Sequence, residues 1–253
     1  MNRRRRLLKW GLRLAILAAG VALPAALLFD AGILRFNHPS RSRFPVRGID
    51  VSHHQGKIDW PRLRREGIGF AFIKATEGGD FRDSLFFDNW EGAARAGIVR
   101  GAYHYFTFCR SGEEQAANFI GAVPPAEYLG ALPPAVDVEY GGNCQDAAPE
   151  REVVLAELAD FLDRLEAAYG RRPIVYSTEE AYDDFLAREL PGTAIWIRDI
   201  YWQPSLSDDR PWTFWQYANR GRLPGIDGFV DLNVYRGGWD QFRRQLLAKP
   251  ERL

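Results

Sequence analysis

From Val46 onward the chain repeats one arrangement, in which short apolar runs alternate with stretches of helical periodicity. The runs are Gly48–Ser52, Phe70–Thr76, Val99–Phe106, Ala135–Glu139, Ile174–Ser177, Ala194–Ile197, Thr213–Tyr217 and Phe229–Val234. The early ones, such as FAFIKAT and PAVDVE, are apolar without alternation, as strands buried on both faces of a parallel sheet require. Helical stretches fall at Leu85–Ala96, Glu113–Ala122, Pro149–Tyr169, Glu179–Arg188 and Trp239–Leu247. The clearest opens on Pro149, carries Val154, Leu155, Leu158, Phe161, Leu162 and Leu165 on one face, and stops at Gly170. Between Ile197 and Trp239 the helical pattern disappears. Eight strands with about five or six helices predict an α/β fold: an irregular βα barrel whose later strands are joined without full helices. In such a barrel, functional groups collect at the carboxyl ends of the strands.

The segment ahead of this pattern is of another kind. Residues 1–40 hold Arg3, Arg4, Arg5, Arg6, Lys9, Arg13 and Arg35 against Asp30, a net charge of 7 − 1 = +6. The whole chain balances 33 bases against 33 acids, so the remainder carries 26 − 32 = −6. That acidic body excludes a nucleic-acid partner, which would want a basic face. A hydrophobic content of 46% excludes a disordered chain. The uninterrupted apolar run Leu14–Phe29 is 16 residues long, short of the roughly 20 that span a bilayer. Trp10, Gly11 and Leu12, with Arg13 snorkelling to the headgroups, bring it close. The basic cluster keeps its own end cytoplasmic, so the body is exported. Residues 1–30 therefore read as a hydrophobic helix serving as a signal anchor or a cleaved signal peptide, 31–44 as a linker, and 45–253 as the barrel. The anchored form would sit in the inner membrane facing the periplasm, and the cleaved form would be secreted.

The two cysteines exclude a disulfide scaffold and a four-cysteine zinc site. Export permits a bridge between Cys109 and Cys144, each of which follows a strand by a few residues; two free buried thiols are the alternative. His53 and His54 are expected on a strand, pointing to opposite faces, so they do not share a metal site, and no metal or cofactor is expected. No G-x-S-x-G, Walker-type or G-x-G-x-x-G element is present.

Acids inside apolar strands are the chemical signal. Asp137 and Glu139, in AVDVEYGG, are two apart and share one side of a strand. Desolvation and mutual repulsion favour protonation of one of them at neutral pH. Glycoside hydrolysis uses that division, an acid to protonate the leaving oxygen and a carboxylate to stabilise the cationic centre. Asp50 in GIDVSHHQG and Asp231 in FVDLNVY are further acids in apolar strands, brought together if the first and last strands adjoin. Aromatic residues cluster at the same strand ends: Tyr103, Tyr105, Tyr140, Tyr176, Trp196, Trp215 and Tyr217. Flat side chains suit the apolar faces of sugar rings, although any one of them also serves as core.

Taken in order, GIDVSHHQG, FAFIKATEG, GAYHYF, AVDVE, FWQY and VDLNVY resemble glycoside hydrolase family 25, the muramidases also called Chalaropsis-type lysozymes. The resemblance runs from about Val46 to Gly237. It implies a βα barrel that hydrolyses the β-1,4 bond between N-acetylmuramic acid and N-acetylglucosamine in peptidoglycan, as a monomer without cofactors. It also implies that Glu139 is the general acid, that Asp50 and Asp231 line the groove, and that Tyr103 is the active-site tyrosine. Asp137 would be either a direct nucleophile or the group that orients the substrate's own N-acetyl for participation; two carboxylates on one side of the sugar fit the second. His54 stands where many relatives carry a bulkier aromatic. The rival expectations are a non-catalytic glycan-binding scaffold and a hydrolase of another N-acetylated glycan such as chitin.

Overall fold

The computed structural model describes residues 3–123, 130–140 and 150–247. A long helix, α1 (Arg3–Asp30), precedes the barrel. The barrel begins with β1 (Arg47–Val51), α2 (Trp60–Arg65), β2 (Phe70–Glu77), β3 (Phe81–Arg82), α3 (Phe86–Arg95) and β4 (Val99–Tyr105). It continues through α4 (Gly112–Ala122), β5 (Ala135–Val138), α5 (Arg151–Tyr169), β6 (Ile174–Thr178) and α6 (Glu179–Ala181). It ends with β7 (Ile195–Arg198), β8 (Phe214–Gly221), β9 (Val230–Tyr235) and α7 (Trp239–Phe242). The predicted opening of α5 at Pro149 lies outside the described residues. The helix expected over Glu179–Arg188 is α6 followed by a π turn at Tyr182–Leu186, and α7 likewise passes into a π turn at Arg243–Leu247. The sequence reading missed α2, whose start is marked by Asp59 accepting from the Arg62 amide and by Pro61 in the first turn.

Eight strands close in the order β1-β9-β8-β7-β6-β5-β4-β2, with β1 pairing back to β2; β3 is a two-residue flap on β2. All of the barrel pairings are parallel except those of β9, which runs antiparallel to β8 and β1. Residues 222–229 between β8 and β9 are too few for the crossover of a dozen or more that a parallel return needs. The reversal brings the start of β9, with Asp231, to the end of the barrel where the parallel strands finish.

Two apolar cores follow from the strand period of two. Ile49, Ile73, Val136, Val175, Ile197 and Val234 face outward and pack under the helices. Phe70, Phe72, Ala135, Trp196, Phe214 and Tyr235 point inward and fill the lumen, with Phe242 and Leu246 packed against them. Phe72 stacks on Trp196 with ring centroids 4.5 Å apart. The second half of the expected linker also belongs to the packed body. Phe44 is buried between the rings of Trp212 and Trp215, each 6.0 Å away, and the Asn37 amide donates to the Asp199 carbonyl.

Helices α4 and α5 touch through Gly112, where a Cβ would lie 2.0 Å from the Glu157 carbonyl oxygen. Gly112→Ala is therefore expected to force the two helices apart and cost about 1–3 kcal/mol, read as a lower urea midpoint. An unchanged midpoint would mean that this contact adjusts freely.

Candidate active site

Above the aromatic plug, the same inward-facing positions turn polar. Successive inward residues are Lys74 on β2, Tyr103 and Tyr105 on β4, Asp137 on β5, Tyr176 on β6, Arg198 on β7 and Gln216 on β8. They line a cleft of about 380 Å³ together with Asp50, Glu139 and Asp231. Asp50 and Asp231 are direct partners in the β1–β9 ladder. The juxtaposition expected from barrel closure is thus present, across 181 positions of sequence.

Asp50 is the best-supported acid. Asn233 Nδ2 donates to its Oδ2 at 2.6 Å, and Gln216 Nε2 donates to both oxygens at 3.2 and 3.0 Å. Each amide is held in that sense by its own oxygen, which accepts from Trp196 Nε1 at 2.8 Å in one case and Tyr176 Oη at 3.1 Å in the other. An indole N–H is only a donor, so Asn233 must turn its amino group to Asp50. Burial pushes the Asp50 carboxyl up, while these bonds and the Arg198 charge pull it down. Asp231 is pushed well up, first by burial and then by the Asp50 charge. Both carboxyls are raised chiefly by burial, and as direct ladder partners they resist ionising together, so the pair favours keeping a proton.

The β5 pair is less supported. Asp137 has one buried oxygen, Oδ1, with no hydrogen-bond partner among the described residues. Burial pushes its carboxyl well up, helped by the charges of Glu139, Asp50 and Asp231 and opposed by Lys74. Glu139, half-buried just beyond the strand, is also raised, chiefly by burial and by Asp50, with Arg198 and Lys74 acting against the rise. The phenols of Tyr103 and Tyr176 are raised well above the ordinary value by burial and these carboxylates, so both stay neutral donors at any physiological pH. Lys74 pairs with Glu77 at 2.6 Å and lies 4.9 Å from the centre of the Tyr105 ring.

Tyr103, Tyr105, Tyr176 and Trp196 reach the cleft from the expected aromatic set. Trp215 and Tyr217 do not; they pack in the outer core, because it is Gln216 between them that points inward. Trp215 Nε1 donates to the Asp199 carbonyl. Tyr140 stands outside the cleft, its hydroxyl donating to Asp184 at 2.5 Å and its ring against Phe108 and Phe185. The histidines are not on a strand. Ser52 caps a single 3-10 turn, Tyr-free and polar, that carries both. His53 is held by Asp83 at 2.8 Å, while His54 lines the cleft rim. His104 faces outward, bonded to Thr76 and Gln115, and burial lowers it to about 3. Cys109 is disulfide-bonded, and Cys144, the chain's other cysteine, lies outside the described residues.

Sequence reasoning missed Lys74, Arg198, Gln216 and Asn233. The first two were visible as bases inside apolar strands, the same signal that exposed the acids.

A floor of flat rings beneath neutral and ionised carboxyl groups, at the carboxyl end of a βα barrel, is the equipment of a glycoside hydrolase. Known proteins give the family. Residues 49–226 match Glycosyl hydrolases family 25. A family 25 glycosyl hydrolase from Bacillus anthracis superposes with a TM-score of 0.78 at 44% identity, over 83% of this chain and 97% of that one. Lysozyme M1 of Streptomyces globisporus is 34% identical over 207 residues, 76% of this chain and 68% of its own length. A bacterial lysozyme from Streptomyces coelicolor superposes with a TM-score of 0.67 at 31% identity, over 78% and 94% of the two chains. The chain belongs to glycosyl hydrolase family 25.

Proposed function

We propose that the protein is a muramidase, cleaving the β-1,4 bond between N-acetylmuramic acid and N-acetylglucosamine in peptidoglycan. Glu139 is the general acid. Asp137 orients the 2-acetamido group of the sugar so that its carbonyl oxygen assists departure of the leaving group. The unpartnered Oδ1 of Asp137 carries this reading, since it is a buried acceptor that an acetamido N–H would satisfy. Asp50, Asp231 and Tyr103 shape the wall of the groove, and Tyr105, Tyr176 and Trp196 supply its ring surfaces. Helix α1, whose stretch Trp10–Asp30 is 21 residues long and apolar enough to cross a membrane, anchors the barrel outside the cytoplasmic membrane.

Purified sacculi, digested and reduced with borohydride, test the bond. Reduced muramic acid at the new ends is the expected product. Reduced glucosamine would overturn the assignment, equal cleavage of chitin oligomers would favour a broader N-acetylglycan hydrolase, and binding without new ends would make the protein a scaffold. Arg198 gives a second test. Its charge lowers Glu139, so Arg198→Ala should let the Glu139 carboxyl keep its proton to higher pH. The alkaline limb of the kcat/KM profile is then expected to move up in pH, and a limb that stays in place would disconnect it from Glu139.

A further inference from the structure

We infer that the apolar and basic collar around the end of α1 is a bilayer-seating surface, which rests the flank of the barrel beside the catalytic cleft on anionic phospholipid headgroups. The inference rests on the reading of α1 as a membrane anchor. It adds that the barrel is seated on the lipid rather than suspended from a tether.

The exit from α1 is pinned to the barrel. Arg220 donates to the Asp30 carbonyl at 2.8 Å and to its carboxylate at 2.7 Å, and Arg222 donates to the Ala31 carbonyl at 2.7 Å. Gly32, at a φ of 68°, lies so close that a Cβ would meet the Arg220 carbonyl at 2.3 Å and the Phe229 ring at 2.8 Å. The chain therefore has no slack where it leaves the helix.

An apolar row continues outward from that point. The ring of Phe29 at the end of α1 meets Phe36 at 5.0 Å, and Phe36 meets Tyr201 at 5.3 Å. Ile33, Phe36 and Trp202 are exposed by 63%, 62% and 77%. Trp202 is exposed on a fixed loop, not on a mobile one: Asp199 Oδ1 accepts from the amides of Tyr201 and Trp202, and the Asn37 amide donates to the carbonyls of Asp199 and Trp202. Tryptophan and tyrosine held beside the end of a spanning helix match the aromatic belt of membrane proteins, whose rings sit at headgroup level.

Charge selects the lipid. Arg35 lies within the collar, and Arg220 and Arg222 pin its inner edge, on a chain whose body is otherwise acidic. Arg35 lines the groove between Phe29, Leu34, Phe36 and Tyr201; its Nε is buried without a partner, and its guanidinium has no ion pair among the described residues. A lipid phosphate supplies a counter-ion to the outer nitrogens of that guanidinium, and juxtamembrane basic residues favour anionic leaflets generally.

The seat adjoins the active site. Asn219 lines both the catalytic cleft and the groove containing Phe29, Leu34 and Phe36, and Asp199, which fixes the Trp202 loop, directly follows the cleft residue Arg198. Seating thus presents the cleft to glycan lying against the membrane surface.

The test uses the full chain in liposomes of mixed zwitterionic and anionic phospholipid with bromine on shallow acyl carbons. Flotation after an alkaline wash first reports the anchor, and a chain that is stripped off overturns the anchor reading and the seat together. In floating protein, Trp202→Phe is expected to remove part of the tryptophan quenching by bromine. Ile33→Ser with Phe36→Ser should lower quenching to the level of Trp202→Phe while leaving turnover of soluble glycan fragments unchanged. Arg35→Gln should weaken quenching in anionic liposomes only. Quenching that is identical in the wild type and Trp202→Phe would overturn the seat while leaving the anchor standing.

Discussion

Glu139→Gln is expected to lower turnover of sacculi by roughly 10²–10⁴-fold, the usual contribution of a general acid, with the barrel still folded and KM little changed. The glutamine keeps the size of the side chain and can still donate a hydrogen bond, but it has no proton to transfer. What fits Glu139 for the role is its position. It stands one residue past β5, half-buried at the open end of the cleft, with burial and the Asp50 charge raising its carboxyl against the pull of Arg198 and Lys74. A carboxyl so placed keeps its proton where an exposed glutamate has lost it.

A loss of activity by itself would not distinguish the acid from a nucleophile or a mere binding group. An aryl glycoside of N-acetylmuramic acid does so, because its phenolic leaving group departs without protonation. Glu139→Gln should lose far less on that substrate than on sacculi. Equal losses on both would assign Glu139 a different task, and Asp137 would become the candidate acid.

The strands and the acids were legible for one reason: a charged group within an apolar run is costly, so it stands out and calls for an explanation. Asp50, Asp137 and Asp231 were found in this way, and Lys74 and Arg198 carry the same signal. Neutral amides do not. Gln216 lies between Trp215 and Tyr217 on a strand buried on both faces, where polarity no longer marks the inner side. Attention to rings as sugar platforms therefore selected the two outward neighbours. The strand period gives the right choice once Phe214 is known to face the lumen, but that knowledge needs the closed barrel. Tyr140 was misplaced for a related reason, since it lies beyond the end of β5, where strand alternation no longer directs a side chain. The direction of β9 was not legible in the same way: the apolar runs end at Tyr217 and resume at Phe229 with eleven residues between them, and it is the extension of β8 to Gly221 that shortens the gap to the eight residues 222–229.

Asp137→Asn should separate stability from activity, with opposite signs. Turnover is expected to fall by about 10²–10³-fold, because the acetamido group loses the carboxylate that orients it and offsets the developing positive charge. Stability is expected to rise at neutral and alkaline pH. The folded protein holds the Asp137 carboxyl well above its unfolded value, through burial and the neighbouring charges of Glu139, Asp50 and Asp231. A carboxyl raised in this way costs nothing below its unfolded value, where both states carry the proton. As pH rises from there through the folded value, the unfolded state ionises freely while the folded state must keep the proton or bear a buried charge, so stability falls. Asparagine has no charge to bear, and it also removes one source of repulsion on Glu139 and Asp231. Urea unfolding at pH 3, below the unfolded value of 3.8, should therefore show the two proteins nearly alike, and at pH 8 the variant should be more stable by on the order of 1–3 kcal/mol. A gap independent of pH would mean that the substitution acts through packing alone. A less stable variant at pH 8 would mean that Lys74 already compensates the Asp137 charge in full, and the proton would then have to be sought on Asp231.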